Sequence, residues 1–410
     1  MEVNMKRVDG GVCAAKGFKA NGLNCGINPD KNKNDLALIY SEEECNAAAV
    51  YTTNKVKGAP ILVTKKNLDA SGNKAKAVIA NSKNANTCNA DGEEKAFKMC
   101  QLAAKELGID PQEVIVASTG VIGQILPIEP IESHIKELVD GLNENGNDEA
   151  AKAIMTTDTF PKQIAVKFMI NDKECTIGGM AKGSGMIHPN MATMLVFITS
   201  DVAIAPDMLQ KALSEDVKSS FNMVSVDGDT STNDMVSVMA NGLAGNNIIA
   251  SEGKDYDEFC VALHSVTSYL CRMIAGDGEG ATKMLDCRVS GAPDEKTAKI
   301  IAKSIICSSL VKAAMFGSDA NWGRVLCAIG YSGQDVDVNK IDVSFRSKKG
   351  TVDVCKNGAG VEFSEETAKE ILLEKEIEIL ISLGKGEYGA TAWGCDLTYD
   401  YVKINGDYRT

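Results

Sequence analysis

Residues 181–201 read AKGSGMIHPNMATMLVFITSD. A glycine-rich opening passes the His188–Pro189 step and enters MLVFIT at 194–199, a short apolar run with the character of a buried strand. Working outward from it, ILVTK (61–65), AVIA (77–80), VIVA (114–117), DMVSVM (234–239), EIEIL (378–382) and TYDYVKI (398–404) read the same way. Apolar spacing of three and four predicts helices over 92–107, 131–142, 207–220, 256–274, 296–315 and 365–374. In the first of these, Phe97, Cys100, Leu102 and Ala103 share a face and Gly108 supplies the stop. The polar, acidic stretch 141–150 predicts an exposed loop. Strands and helices interleave without strict βαβ regularity, so the predicted class is α/β, with mixed sheets layered with helices.

Composition narrows the function classes. The chain has 410 residues, 44% apolar and 24% charged, which are globular values. Its 43 basic and 56 acidic residues leave a net charge of −13, which disfavours a nucleic-acid surface built from clustered Lys and Arg. The purely apolar stretches are short, so no membrane span is expected, and the amino terminus lacks the apolar core of a signal peptide. A soluble, cytoplasmic protein is the default expectation. Thirteen cysteines include no C-x-x-C pair, the closest two being eleven apart, and there are only three histidines. That spacing argues against a zinc site and for reduced core thiols.

Several motifs invite chemistry and also have plain readings. GGMAKGSGM (178–186) lacks the Lys-Ser/Thr ending of a phosphate loop, and a tight turn needing positive φ explains it as well. VASTGVIG (116–123) runs a strand into Ser118-Thr119-Gly120, a turn whose N–H groups could meet an oxyanion or merely end the strand. AGDGEG (275–280) sets Asp277 and Glu279 among glycines, as an acidic site or a helix C-cap. SVDGDTSTND (225–234) begins like a calcium loop but lacks its closing Glu, so it reads as a solvated loop. GSDANWGR (317–324) opens a helix at Asn321, with Trp322 as a packing anchor. These patterns reach an α/β protein of enzyme-like character and nominate no reaction.

The run 181–201 resembles the self-cleavage segment of the ornithine acetyltransferase family. The likeness spans essentially the whole chain: YTTNKVKGAP (51–60), ANSKNANTCNADG (80–92), STGVIG (118–123), IMTTDTFPK (154–162), VDGDTSTND (226–234), GDGEGATK (276–283), FGSDANWGR (316–324) and YDYVKINGDYRT (399–410). The resemblance implies a self-processed enzyme of the N-terminal-nucleophile type with two intertwined chains, 1–192 and 193–410, cut between Ala192 and Thr193. It implies Thr193 as nucleophile, Thr119 and Gly120 as the oxyanion pair, and Thr156, Lys182, Glu279, Asn405 and Thr410 as substrate contacts. The implied reaction moves an acetyl group from N-acetylornithine to glutamate in arginine biosynthesis. No cofactor or metal is implied; acetyl-CoA is a second donor in some family members. Two copies of each chain are the family's usual assembly.

The chemistry accounts for a threonine at that position. A hydroxyl is a weak nucleophile and needs a base. An amide nitrogen cannot serve, but a freed α-amine, with a reference pKa of about 7.7–8.0, can. The cut therefore makes the base that the nucleophile uses. Two other readings remain at this stage: a self-processed aminopeptidase or amidohydrolase of similar fold, separable by acceptor choice, and a non-enzymatic binding protein on the same scaffold.

Overall fold

The longest strand, Leu36–Tyr51, organises the first of two compact units. The computed structural model describes residues 5–188, 194–384 and 386–407. Thr193, Ala192 and Thr410 lie outside the described residues. The first unit comprises Met1–Gly183, Asn190–Lys218 and Thr230–Leu270. Its nine-stranded mixed sheet places Leu195–Ser200 between Lys173–Lys182, antiparallel to it, and Met235–Ala240, parallel to it. Val114–Ser118 lies at one edge, parallel to Lys74–Asn81.

Alternation along Leu36–Tyr51 shows how this sheet folds over itself. Leu36 and Leu38 join a core with Ile79, Val114 and Val116 and with Met99, Leu102, Ile131 and Leu138 of helices Gly92–Leu107 and Ile128–Asp140. Ala37 and Ile39 point the other way, into a core with Ile115, Phe197, Met235 and Met239. Strands carrying Ile115 thus face strands carrying Phe197 across an apolar interior, and the sheet forms two stacked layers. With both faces covered, the strands read as near-continuous apolar runs. Fully burying a side chain such as Phe197 is worth about 1.5–3 kcal/mol. The register slips between Tyr40 and Cys45, where Glu42, Glu43 and Glu44 are exposed and the strand passes from one layer to the other.

The second unit comprises Ser184–Pro189, Ser219–Asp229 and Cys271–Thr410 and holds a seven-stranded sheet. Leu285, Cys287 and Val289 register beside Ile377, Ile379 and Ile381 and are buried with helix Glu295–Cys307. On the opposite face Asp286, Arg288, Arg346 and Glu378 form ion pairs. This is the in-and-out alternation of a sheet with one apolar face.

Helices over 92–107, 131–142, 207–220, 256–274 and 365–374 form within a few residues of expectation, and Gly108 ends the first at φ 70°. Four expectations are corrected. Residues 61–65 lie in helix Ala59–Ala70, which carries Pro60 in its first turn. Ile61 and Leu68 enter one core and Ala59 and Val63 the other, so this helix is apolar on several sides and mimics a buried strand. Residues 398–404 form helix Tyr399–Gly406, capped when Thr398 Oγ1 accepts from the Tyr401 N–H. The helix expected over 296–315 is two, broken at Ser308, which caps the second. Part of the 141–150 loop is helix Asn147–Ala153, with Ala150 and Ala151 fully buried. Helix Lys254–Gly276 is also long and apolar enough to cross a membrane by length and composition, contrary to the expectation drawn from apolar runs. Its Phe259, Leu263, Val266 and Leu270 are buried, as in a core helix.

Candidate active site

Strand Val114–Ser118 is buried throughout and emerges at Thr119-Gly120, which are half-buried. Gly120 has φ 134°, and a Cβ there would overlap the Lys83 backbone carbonyl. Only glycine lets the turn lie this close to the Lys83–Asn84 backbone. The Thr119 N–H is committed to the Asn81 carbonyl at 3.0 Å, and Val121 N–H to that of Lys83 at 3.1 Å. Among the described residues, no side-chain bond engages the Thr119 hydroxyl, and the turn backbone runs against Lys83–Asn84 through an isolated antiparallel bridge between Asn84 and Thr119. The hydroxyl is the donor Thr119 has left over, so this residue would contribute its side chain rather than its backbone. Beneath the turn, Ser118 Oγ donates to Asn81 Oδ1 at 2.6 Å, and Asn81 Nδ2 donates to the Asn84 carbonyl at 2.9 Å.

Lys182 ends strand Lys173–Lys182 and is only 8% exposed. Near it stands an ion pair that sequence reading missed. The Asp158 carboxylate accepts from Lys162 Nζ at 2.6 Å, Gly183 N–H at 2.7 Å and Thr156 N–H at 3.0 Å. Burial opposes its charge, but the Lys162 and Lys182 ammonium groups and the Gly183 N–H hold it down at about 2. Thr156 and Asp158 line a cavity of about 430 Å³ with Asn28, Lys33, Lys83 and Lys152. The lining is mixed in charge, since Asp30 and Glu149 also face it and Lys152 pairs with Glu149 at 2.7 Å. A larger cavity of about 560 Å³, between Arg272, Asp286, Arg346 and Glu378, contains none of the sequence-nominated residues.

In the second unit, Asn405 Nδ2 donates to Glu279 Oε2 at 2.7 Å, so the structure brings these two candidates together. The Glu279 N–H bonds to the Ser184 carbonyl at 3.0 Å, and Ser184 Oγ donates to the Asp277 carbonyl at 2.6 Å. A Cβ on Gly185 would overlap the Glu279 carboxylate, so the backbone there makes room for it. Asp227 accepts from the N–H groups of Met186 and Ile187, fixing the segment that leads toward the proposed cut. Burial, then the Lys303 charge, pushes the His188 imidazole down to about 4; its Nδ1 lies 3.1 Å from Ser225 Oγ.

The glycine-rich stretch 178–186 is corrected as well. Gly178 and Gly179 are inside a strand, and a Cβ on Gly178 would overlap the Gly11 carbonyl, so close approach rather than a positive-φ turn explains that glycine. The stretch 225–234 is not simply solvated, since Ser225, Thr232, Asn233 and Asp234 are buried. Asn321 does cap the helix Trp322–Gly330.

The first unit thus holds both the Thr119-Gly120 turn that ends Val114–Ser118 and the strand Leu195–Ser200, which begins two residues after Thr193. A model of the ArgJ family matches residues 19–410, and the chain belongs to that family. It is 53% identical over 394 residues, 96% of each chain, to the arginine biosynthesis bifunctional protein ArgJ 1 of Clostridium acetobutylicum. It is 50% identical over 407 residues to the arginine biosynthesis bifunctional protein ArgJ of Caldanaerobacter subterraneus subsp. tengcongensis, covering 99% of this chain and 100% of that one. A crystal structure of ornithine acetyltransferase from Mycobacterium tuberculosis, complexed with ornithine, is 38% identical, covers 46% of this chain and 100% of that chain, and has a TM-score of 0.43.

Proposed function

We propose that this chain cuts itself between Ala192 and Thr193 and then carries acetyl groups on the Thr193 hydroxyl. The enzyme is an acetyltransferase of arginine biosynthesis, and its reaction is exchange between N-acetylornithine and glutamate. The observation that carries this reading is family membership over residues 19–410, with every quoted motif inside that span.

In the cut, Thr193 Oγ attacks the Ala192 carbonyl, the peptide C–N bond breaks, and the acyl group passes to oxygen as an ester. Water opens the ester, leaving the Ala192 carboxylate and a free Thr193 α-amine. In turnover, that amine takes the hydroxyl proton as Oγ attacks the acetyl carbonyl of N-acetylornithine. The C–N bond breaks, ornithine leaves with the proton on its nitrogen, and an acetyl ester remains. The amine of glutamate attacks that ester, N-acetylglutamate leaves, and the hydroxyl is restored. Each addition puts negative charge on a carbonyl oxygen. The Gly120 N–H and Thr119 hydroxyl would meet it, each donor being worth about 2.7–4 kcal/mol of barrier.

Lys182 would meet the α-carboxylate common to both amino acids, with Thr156 beside it. Glu279, steadied by Asn405, would hold a substrate amine, and Thr410 would close the site. The sequence balances without a cofactor or metal. Acetyl-CoA, as second donor, would load the same ester. The two pieces would stay joined, because Leu195–Ser200 pairs along its length with Lys173–Lys182, and two copies of each are the proposed assembly.

Thr193→Ala should leave a single uncut chain on a denaturing gel and abolish exchange. An uncut wild-type chain with full activity would overturn the reading. N-acetylornithine consumed as fast with water alone as with glutamate would favour the hydrolase.

A further inference from the structure

Resting on that reading, we propose that Asn233 is a positioning residue that clamps the oxyanion turn to the strand following the nucleophile. Its side chain is 6% exposed, and its amide is fully used. Nδ2 donates to the Ser118 carbonyl at 3.0 Å and the Ala85 carbonyl at 2.6 Å. Oδ1 accepts from Thr87 Oγ1 and Thr232 Oγ1, both at 2.6 Å. Carbonyl oxygens only accept, so the NH2 end must face Ser118 and Ala85, and the hydroxyls then donate to the oxygen.

The two carbonyls are the ones that matter for the turn. Ser118 immediately precedes Thr119, and Ala85 belongs to the segment against which Gly120 packs. One amide nitrogen therefore joins both backbones that shape the donor pair. The other end of the link is equally short. Two residues on, the Met235 N–H donates to the Met194 carbonyl at 2.8 Å, and Met235 registers beside Leu195. Met194 is the residue after Thr193. The turn belongs to one layer of the folded sheet and Met194 to the other, and Asn233 bridges them.

The site is shaped for this residue. A Cβ on Gly58 would overlap the Asn233 amide, while the Gly58 N–H bonds to the Thr232 carbonyl at 2.9 Å. Aspartate would keep the shape but set acceptors against two carbonyls, losing both donations. Alanine would remove the link altogether.

A displacement of about 1 Å between reacting groups costs about 10²-fold. For Asn233→Asp the expectation is therefore a kcat for acetyl exchange about 10²-fold lower, with KM for both substrates within about twofold, and slower self-cleavage. Thr87→Val, which removes one donor to Oδ1 and leaves Thr232 in place, should lower kcat about tenfold at unchanged KM. It serves if Asn233→Asp does not fold. Folding is followed by circular dichroism and Tm, with Thr193→Ala as control. An inactive Thr193→Ala beside a folded Asn233→Asp or Thr87→Val of unchanged kcat overturns the clamp alone. A fall in kcat matched by an equal loss of folded fraction also overturns it. An active Thr193→Ala overturns the nucleophile reading instead.

Discussion

Replacing Lys162 by methionine tests whether the buried ion pair holds the segments around Thr156 and Gly183 together. Neither Lys162 nor Asp158 exposes any side-chain surface. Removing the ammonium strands a carboxylate that keeps only N–H partners and the more distant Lys182 charge. Breaking a buried pair from one side costs about 3–5 kcal/mol. For a unit of this size that is a fall in Tm of roughly 6–20 °C. The sign of the pH dependence follows from Asp158, held at about 2 where 3.8 is usual. As pH falls, the unfolded chain takes up the proton first. The wild-type contribution, roughly 2–3 kcal/mol, is therefore full above pH 4 and lost as pH falls toward 2. In Lys162→Met that acid-side slope should shrink, because the Asp158 carboxyl moves back up. Urea unfolding at pH 7, 5, 4 and 3 measures both effects. Asp158→Asn/Lys162→Met should cost less than Lys162→Met alone, since no charge is left stranded. A cost below about 1 kcal/mol for Lys162→Met at pH 7, or a double variant no milder than the single, would refute the argument.

Gly120→Ala meets both a left-handed φ and the Lys83 carbonyl, so the turn must shift and the Gly120 N–H with it; kcat should fall about 10²–10³-fold with little change in KM, by steady-state exchange assay. Gly185→Ala should push the Glu279 carboxylate away from Asn405. Its signature is a raised KM for N-acetylornithine with processing on a gel unchanged.

The core strands were legible where both faces are apolar, as at 77–80, 114–117 and 194–199. Leu36–Tyr51 was not, because three consecutive glutamates interrupt it where it changes layer, and its later half is mostly small alanines. ILVTK at 61–65 misled because a helix buried on several sides loses its one-faced pattern. Thr119 and Gly120 were legible as a strand-ending turn with outward N–H groups, and family likeness singled them out from the plainer reading; which of their donors is spare depends on the Asn81 carbonyl, which the local sequence does not announce. Asp158 and Lys162 meet across a Pro161 step that breaks any helical spacing, leaving no periodic signal for the pair. Asn233 sat in a run of small polar residues whose composition looks wet, yet three of its four side-chain hydrogen bonds reach residues over 100 positions away in sequence.

Under the proposed cut between Ala192 and Thr193, the seam between Lys173–Lys182 and Leu195–Ser200 has a consequence for the life of the enzyme. Before scission, these neighbours are tethered and can zip together at a rate independent of dilution. Afterwards the same ladder joins separate polypeptides, and reassembly after melting becomes a bimolecular encounter. Durability then rests on slow dissociation rather than on the ability to find the native arrangement again.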